Sequence, residues 1–340
     1  MLDLLKTLCT LPGVSGDEAA VRAFILEKAR PYGEAQVDPM GNVLIAKKGK
    51  KSIGKTLMLA AHMDEVGFII THITDEGYLK FASVGGIDCR VILGKGVEIG
   101  EQRVPGVIGL KPVHLTKPDE KKKVPEMEDL YIDIGVFDKE AASALVHVGD
   151  TVCFDTKPFE MEHYLVAKAI DDRVGCAVLL TLLAEELPID IHFAFTVQEE
   201  VGLRGAMTAG YGVNPDIALI LEGTTAADIP GVKPGKEVCR VNGGVVIPFM
   251  DRTAVYDRDL YRQITALAES KNIPWQTKQL IVGGTDGGAI QRARGGTRVL
   301  GLAAPVRNLH TGVNLASIDD MEHLLSLTRA AIHHLGENLQ

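Results

Sequence analysis

The sequence lacks the features that mark secreted and membrane proteins. Its five cysteines in 340 residues are scattered without any CxxC spacing. An odd, dispersed set of cysteines argues against a disulfide framework and for a reducing compartment. No apolar run approaches the roughly 20 residues that a membrane-spanning helix needs, and the first residues have neither the basic segment nor the cleavage site of a signal peptide. We therefore expect a cytoplasmic protein that has no membrane partner.

Positive charge is also scarce. The chain has 36 Lys and Arg against 45 Asp and Glu, which gives a net charge of -9 when the histidines are neutral. Because binding to a polyanion requires a basic surface, we expect no nucleic-acid partner. The apolar fraction of 46 % is that of an ordinary globular protein. The length exceeds the roughly 250–300 residues at which a single core stops growing, so more than one domain is expected.

Hydrophobic patterns divide the chain into three segments. Residues 1–68 and 163–340 alternate strand-like apolar runs with helical patterns, which is typical of an α/β domain. Residues 69–162 instead contain short β-type runs separated by glycine-rich turns. We therefore predict an α/β catalytic domain in two segments, 1–68 and 163–340, with a small all-β domain inserted at 69–162.

Local signals near the start of the chain predict where individual elements begin and turn. Ser15 and Glu18 have the spacing of a capping box, which predicts the N-terminus of a helix. Gly41 and Asn42 lie between alternating segments and predict a hairpin turn. The apolar run at 57–61 predicts a buried strand that ends at His62.

Acidic and imidazole side chains follow the apolar strands or precede a predicted helix. These residues are His62, Asp64, Asp171, Asp172, Glu199, Glu200 and Glu222. In an open α/β sheet the carboxyl ends of the strands form one edge, and ligands bind in the crevice outside it. We therefore expect these side chains to converge. Carboxylates packed together repel one another, and bound divalent cations would offset that repulsion.

Each of these signals also has a purely structural interpretation. His62 and Asp64 could form a surface or capping pair, and Asp171 with its neighbour could cap a helix. The glutamates could lie in solvated turns. The coincidence of several such groups at strand ends is what favours a metal site. His310, a loop residue that would mean little alone, then becomes the candidate for a second imidazole ligand.

Four segments resemble the glutamyl and leucyl aminopeptidases that assemble into tetrahedral dodecamers, some of which have been labelled endoglucanases. The segments are HMDEVG at 62–67, AIDDRVG at 169–175, QEEVG at 198–202 and GTDG at 284–287. The resemblance covers nearly the whole chain in order. It implies a mixed-sheet, di-metal exopeptidase fold and two divalent metal ions per chain, zinc or cobalt first and manganese as a further option.

The resemblance also implies a role for each candidate residue. Asp171 would bridge the two ions, Glu199 would act as general base on a water between them, and Asp64 would orient the imidazole of His62. The remaining ligands would be divided between the two sites, with His62 and Glu222 at one and Glu200 and His310 at the other. Many family members have Asp at the position of Glu222, so the number of oxygens that this longer side chain offers to a metal stays open.

The implied activity is hydrolysis of the N-terminal peptide bond of peptides. Thr285 and Asp286, in a glycine-flanked loop, would line the substrate cleft, although a plain turn is an equally good interpretation. The implied partners are peptide substrates and further copies of the same chain, in a dodecamer built from dimers with the β insert in the contacts.

Two other functions remain open at this stage. A glycoside hydrolase needs two carboxyl groups that flank the scissile bond, and the sequence has enough acids, but that chemistry requires neither His62 nor His310. A non-catalytic peptide-binding scaffold could use the same fold. The presence of Glu199 weighs against a scaffold, because a degenerate site would most readily lose its base.

Overall fold

The computed structural model describes residues 1–119 and 122–338, which form eight α-helices and seventeen β-strands. The helices are α1 (Leu2–Thr10), α2 (Ala19–Ala29), α3 (Lys139–Ser143), α4 (Ile170–Leu183), α5 (Arg204–Val213), α6 (Arg258–Ser270), α7 (Gly287–Gln291) and α8 (Ile318–Asn338). The strands are β1 (Ala35–Val37), β2 (Val43–Lys47), β3 (Leu57–His62), β4 (Gly67–Ile73), β5 (Leu79–Val84), β6 (Gly96–Ile99), β7 (Val104–Leu110), β8 (Leu130–Asp133), β9 (Thr151–Phe154), β10 (Phe159–Met161), β11 (Tyr164–Ala167), β12 (Ile191–Thr196), β13 (Ile217–Thr225), β14 (Val245–Ile247), β15 (Trp275–Thr277), β16 (Arg298–Arg307) and β17 (Asn314–Ser317). None of these described helices is both long and apolar enough to cross a bilayer.

Strands from both ends of the chain form one mixed sheet of eleven strands. The main path runs β1-β2-β12-β3-β13-β16-β17-β11-β10, while β14 attaches to β16 and pairs with β15. Neighbours among the central strands β12, β3, β13 and β16 are parallel. Every residue of β3 is buried, and α4 packs against both β3 and β13. Such continuous apolar runs are typical of parallel strands that are covered on both faces.

A closed barrel of six strands forms the second unit. Its order is β4-β5-β8-β7-β6-β9, and β9 pairs back to β4. The ring of Phe68 lies in the barrel core, 5.0 Å from the ring of Phe81 and 5.5 Å from that of Phe154, both in edge-on contact. The predicted fold class is therefore confirmed, with a mixed α/β sheet and a separate small all-β barrel.

The barrel strands lie close to the predicted insert. They begin at Gly67 and end at Phe154. Strand β10 pairs with β11 and belongs to the large sheet, so the chain has returned to that sheet before residue 162. The division at 68 and 162 stays a prediction about where the domains separate.

The hairpin signal is confirmed, but the capping box is wrong. Strands β1 and β2 pair in antiparallel register on either side of the turn. Helix α2 begins after Glu18 without any side-chain cap. The Ser15 hydroxyl donates instead to Asp64 at 2.6 Å, and Glu18 accepts hydrogen bonds from backbone N–H groups outside the helix. Buried polar groups elsewhere in the fold therefore outcompete the local cap.

Candidate metal centre

The parallel strands bring the first candidate ligands to one edge of the sheet. His62 is the last residue of β3 and pairs in register with Thr196, the last residue of β12. Glu199 and Glu200 begin three residues after the end of β12, and Glu222 lies in the second half of β13. Because all three strands run in the same direction, their carboxyl ends meet, as the sequence pattern predicts.

Asp171 and His310 arrive at the same edge from the other half of the sheet. Strands β11 and β16 both pair with β17 in antiparallel fashion, so they run in the same direction as each other. Asp171 follows β11 at the start of α4, and His310 follows β16. The strand topology therefore gathers ligand candidates that are far apart in sequence.

His62 faces two carboxylates. Its Nε2 atom lies 3.4 Å from Asp171 Oδ1 and 3.6 Å from Glu222 Oε2. Its other ring nitrogen, Nδ1, lies 3.2 Å from the carbonyl oxygen of Asp64 and 3.4 Å from the Asp64 carboxylate. The contact at Nδ1 fixes the ring so that Nε2 points at the acidic groups.

His310 faces a second pair of carboxylates. Its Nε2 atom lies 3.2 Å from Glu200 Oε2 and 4.0 Å from Asp171 Oδ2. The two oxygens of Asp171 therefore point toward different histidines. Gly223 makes this approach possible, since a side-chain carbon at that position would lie only 2.8 Å from the Asp171 Cβ. The Gly223 N–H also donates to Asp171 Oδ1 at 3.1 Å.

Asp64 holds the turn that carries the two glutamates. Its carboxylate is fully buried and accepts the N–H of Glu199 at 3.0 Å and that of Glu200 at 3.2 Å. Burial alone would raise the pKa of Asp64, but His62 and the hydrogen bonds from Ser15 and from the Glu199 N–H hold that pKa below its usual value. Asp64 therefore contacts both His62 and the turn of Glu199 and Glu200.

Glu199 differs from its neighbours in its contacts. Its side chain lines the cavity beside the centre. Among the described residues it belongs to no group of side chains with ligand atoms close enough to share a metal ion. Two such groups occur, each with its atoms within 4.8 Å of one another: His62, Asp171 and Glu200 form one, and His62, Asp172 and Glu222 form the other. Glu199 therefore lies beside these two groups without being part of either.

Burial and mutual repulsion raise the pKa values of three glutamates in this centre, Glu199, Glu200 and Glu222. Burial is the largest cause for Glu199 and Glu200, and the negative charge of neighbouring carboxylates adds to it. Burial likewise raises the pKa of Glu222 to about 8. Burial would lower the pKa of His62, but three carboxylates around it raise that pKa well above 6.5. Bound divalent cations would offset the repulsion that produces these shifts.

The residues present fit a pair of divalent ions. Two imidazoles and three carboxylates are nitrogen and oxygen donors of the kind that zinc, cobalt and manganese accept. Glu222 Oε1 is buried and has no hydrogen-bond partner among the described residues. An orphaned buried carboxylate oxygen is costly unless a cation or donor meets it. If Glu222 bound a metal ion through both of its carboxylate oxygens, Oε1 would be the second donor atom beside Oε2.

Comparison with known families decides what kind of protein carries this centre. Residues 41–327 match the family described as M42 glutamyl aminopeptidase. The chain belongs to the M42 family. It is therefore an aminopeptidase, a hydrolase that acts on peptide bonds, and the predicted enzyme class is confirmed. Membership in this metallopeptidase family implies divalent metal ions, in agreement with the donor set.

Relatives that align over almost their whole length carry aminopeptidase names. A protein of Acetivibrio thermocellus is 37 % identical over 98 % of each chain. The lysyl aminopeptidase of Pyrococcus furiosus is 29 % identical over 98 % of this chain and 97 % of its own. The glutamyl aminopeptidase of Lactococcus lactis is 28 % identical over 99 % of this chain and 97 % of its own.

Solved structures share the complete M42 fold. The TET aminopeptidase of a Thaumarchaeota archaeon has a TM-score of 0.94 at 36 % identity, covering 100 % of this chain and 98 % of its own. PhTET1-12s, described as a dodecamer, has a TM-score of 0.85 at 35 % identity, with 97 % and 98 % covered. A Thermotoga maritima protein labelled an endoglucanase has a TM-score of 0.82 at 31 % identity, with 99 % of each chain covered. The resemblance predicted from the motifs is confirmed.

The M42 centre opens into a cavity of about 610 Å³. Its wall includes Glu199, the candidate ligands other than His62, and Thr285. Asp286 lies outside this lining and is fully buried. It accepts a hydrogen bond from the Thr196 hydroxyl, and burial raises its pKa to about 6. Of the two residues predicted to line the cleft, the structure therefore brings only Thr285 to it.

Asp172 has a structural role that the sequence pattern indicated only as a possible helix cap. Its Oδ1 accepts the N–H of Gly175 at 2.9 Å, and its Oδ2 accepts the N–H of His62 at 3.2 Å. The backbone is not helical at Asp171 and Asp172, so the regular part of α4 starts at Arg173. Both oxygens of Asp172 accept backbone N–H groups, so this residue ties β3 to α4, and it also belongs with His62 and Glu222 to a group whose ligand atoms lie within 4.8 Å of one another.

The barrel supplies a contact that no side-chain pattern could reveal. The carbonyl oxygen of Gly86 lies 3.0 Å from His310 Nδ1, which leaves Nε2 facing Glu200. The neighbouring Gly85 has a φ of 84°, and a side-chain carbon there would lie 2.8 Å from the Val66 side chain. Gly85 and Gly86 lie in one of the glycine-rich turns of the insert, but the contact with His310 depends on how the barrel docks.

Glu18 is a second residue whose role the sequence did not reveal. It is only 3 % exposed, and its carboxylate accepts the N–H of Gln198 at 3.2 Å. Gln198 has a φ of 55°, which turns the chain out of β12. Together with the two N–H groups held by Asp64, three successive donors of this turn bind buried carboxylates. The spacing of Ser15 and Glu18 predicts a local cap, and such a local pattern gives no sign of partners that are distant in the sequence.

Proposed function

We propose that this enzyme removes N-terminal residues from peptides with two divalent metal ions and with Glu199 as general base. The arrangement of Asp171 carries the proposal, because its two oxygens face different histidines. One ion would be held by His62, Asp171 and Glu222. The other would be held by Asp171, Glu200 and His310.

The chemistry follows from what each group can do. Two divalent ions, held as above, would supply Lewis-acid chemistry, which would lower the pKa of a nearby water and polarise the scissile carbonyl. Glu199, which is outside the ligand groups, takes a proton from the attacking water and later delivers it to the leaving amine. Asp64 keeps the His62 ring and the Glu199 turn in place, so that the base and the ligands hold a fixed geometry.

The acidic wall of the cavity restricts cleavage to the N-terminus. A free α-amine is attracted by carboxylates or by an open metal position, whereas an internal amide nitrogen is not. Zinc or cobalt are the ions we propose, with manganese as the third choice, because imidazole and carboxylate donors suit all of them. The substrates would be peptides of the cytoplasm.

Metal-dependent hydrolysis of aminoacyl-anilides tests this function. Chelated protein should be inactive, and activity should return when zinc, cobalt or manganese is added. An N-acetylated anilide is the matched control, because it keeps the scissile bond and loses the free amine. Activity that persists in chelator, or equal cleavage of the acetylated substrate, would overturn the proposal.

A glycoside hydrolase is the competing activity, because one structural relative is labelled an endoglucanase. Glycosidases of the ordinary two-carboxyl type need no metal, whereas the acids here surround two histidines. Cleavage of a cello-oligosaccharide in chelator would favour that activity. A non-catalytic scaffold would bind peptides and cleave none of the anilides.

We also propose that the chain forms a homo-oligomer, a dodecamer built from dimers, with the insert at 69–162 in its contacts. Relatives of similar structure are TET assemblies, one of which is described as a dodecamer. The barrel exposes apolar side chains, among them Phe137 at 93 % and Leu115 at 59 % exposure. Exposed apolar patches of this kind are typical of protein interfaces.

Light scattering tests the assembly. We expect the mass of a dodecamer at micromolar concentration, and replacement of Phe137 by Asp should shift the mass toward smaller species. A stable monomer of the unchanged chain would contradict the proposal.

A further inference from the structure

Three buried charges meet beside the metal centre. Glu65, Lys168 and Arg173 are each no more than 2 % exposed. The Glu65 atom Oε1 accepts a hydrogen bond from the ammonium group of Lys168 and lies 3.4 Å from Arg173 Nη2. None of the three belongs to the groups of described side chains that could share a metal ion. One buried carboxylate therefore serves two buried cations, and the proposed mechanism gives none of them a role.

Each of these charges is a close sequence neighbour of a residue of the centre. Glu65 directly follows Asp64, and Lys168 and Arg173 lie three residues before and two residues after Asp171. Glu65 and Asp171 also border the same small cavity of about 10 Å³, a space on the order of one water molecule. The three charges therefore join the chain segment that carries Asp64 to the segment that carries Asp171.

The two cations also hold the N-terminal helix against these segments. Arg173 Nη1 donates to the carbonyl oxygen of Leu8 at 2.6 Å, and Lys168 Nζ donates to that of Leu11 at 3.0 Å. Both carbonyls belong to the C-terminal end of α1, where carbonyl groups lack helical partners and positive charge is favoured. Gly13 leaves room for this contact, since a side-chain carbon there would lie 2.5 Å from Arg173 Nη2.

Stability alone is a poor explanation for this arrangement. Charged groups are costly to remove from water, and a buried ion pair can often be replaced by apolar side chains of similar size without loss of stability. In addition, Arg173 Nε is buried and has no hydrogen-bond partner in the described part of the chain, which adds to the cost. A costly cluster that joins two segments of a metal centre indicates a role in the geometry of that centre.

We propose that Glu65 is a positioning residue, whose contacts with Lys168 and Arg173 set the separation between Asp64 and Asp171. Asp171 serves both proposed metal sites, and Asp64 orients a ligand and the turn that carries the base. A shift of one segment against the other would therefore alter both sites together. This inference rests on the proposed function and adds to it a part of the chain that contacts neither the metal ions nor the substrate.

A variant without the three charges separates positioning from stability. Glu65→Met, Lys168→Met and Arg173→Met together replace long polar side chains by unbranched apolar ones and leave no charge of the cluster without a partner. Glu65→Gln instead keeps an oxygen that both cations can contact, but leaves the cations without an anion. We therefore expect the thermal midpoint of the triple variant to be at least as high as that of Glu65→Gln, although Glu65→Gln keeps the better geometry.

Cobalt(II) is the probe for that geometry, because its visible absorption depends on the number and arrangement of its ligands. Loss of a group that orients metal ligands costs about 10- to 100-fold in metal affinity or activity. The triple variant should have an altered cobalt spectrum and lose about 100-fold in cobalt affinity and in kcat for an aminoacyl-anilide at saturating cobalt, with KM within about twofold of the wild type. Glu65→Gln should lose only about 10-fold and keep a spectrum close to that of the wild type.

Leu335→Ala is the control for destabilisation far from the centre. Leu335 is fully buried in α8, and the following Gly336 packs against Ile189, which precedes β12. This part of the core therefore lies at the edge of the sheet opposite the metal centre. The truncation leaves a cavity and should lower the thermal midpoint, while the cobalt spectrum, the cobalt affinity and kcat stay those of the wild type.

The outcomes distinguish this inference from the function on which it rests. A triple variant with the cobalt spectrum and kcat of the wild type would overturn the inference. Equal losses in Leu335→Ala and in the triple variant would also overturn it, because destabilisation alone would then explain both. If the triple variant does not fold, Glu65→Met takes its place under the same criteria. A wild-type protein that binds no cobalt or cleaves no anilide would refute the proposed function instead.

Discussion

At the scale of single residues, Glu199 and Glu200 are neighbours whose contacts differ. Glu200 lies 3.2 Å from His310 and belongs to a group that could hold an ion. Glu199 lines the cavity and belongs to no such group among the described residues. A carboxylate that binds a metal is a poor base, so the proposed function assigns metal binding to Glu200 and proton transfer to Glu199.

Replacement of each glutamate by glutamine separates these roles. Glu199→Gln keeps the shape and removes the proton affinity, so kcat should fall by about 10²–10⁴-fold while metal content and KM stay close to those of the wild type. Glu200→Gln should lose metal first, and excess metal should restore part of its activity. Each variant is the control for the other, since a general disturbance of the turn would affect both. If Glu199→Gln lost metal and Glu200→Gln kept it, the roles would be exchanged.

Single-residue patterns predicted the candidate ligands but not the contacts that orient them. His62, Glu200 and Glu222 could be identified because they lie at or near strand ends, where topology dictates convergence. The contact between Gly86 and His310 involves a backbone carbonyl, which leaves no side-chain signal in the sequence. Contacts of this kind cannot be predicted from side-chain patterns, because they depend on how the barrel docks on the large sheet.

At the scale of elements, the turn after β12 is held by buried carboxylates from two other parts of the chain. Glu18, at the start of α2, binds the Gln198 N–H, and Asp64, after β3, binds the next two N–H groups. The sequence indicated Glu18 as part of a local cap because the spacing fits one. The structure uses it over a distance of 180 positions instead, which local spacing cannot predict.

We expect Glu18→Ala to lower activity without removing metal. Loss of a buried hydrogen bond to a charged group should destabilise the fold by about 1.5–3 kcal/mol. The turn that carries the base would then move, and a shift of about 1 Å can lower kcat by up to 10²-fold. Glu27→Ala, at an exposed position on the same helix, is the control. An unchanged kcat in Glu18→Ala would show that Asp64 alone holds the turn.

At the scale of the whole molecule, the fold class was predictable because hydrophobic periodicity differs between the sheet and the barrel. The α/β segments alternate long apolar strands with helices, and the barrel has short strands with glycine turns. The exact points where the chain leaves and re-enters the large sheet were less predictable, since β10 is short and exposed and has little apolar pattern.

The acidic centre should also affect the stability of the whole metal-free protein. Glu222 has a folded-state pKa of about 8 against an ordinary value of 4.5, so between these values the folded state binds more protons than the unfolded state. The contribution of Glu222 to the free energy of unfolding is therefore fully present below about pH 4.5 and is lost as the pH rises through about 8. The raised pKa of His62 acts in the same direction.

We therefore expect the thermal midpoint of chelated protein to fall by a few degrees between about pH 5 and pH 8. Metal-loaded protein should show a smaller fall, because bound cations stabilise the charged carboxylates. Glu222→Gln in the chelated form should flatten the curve. A midpoint of the chelated wild type that rises over this range would contradict the assigned electrostatics.

Metal content of an Asp171→Ala variant tests the central claim most directly. The two oxygens of Asp171 face different histidines, His62 and His310, so its removal should disturb both ions together. We predict two ions per chain in the reconstituted wild type and in Glu76→Ala, an exposed carboxylate control, and close to none in Asp171→Ala after dialysis. An Asp171→Ala protein that still holds two ions per chain would contradict the shared-carboxylate centre on which the proposed mechanism depends.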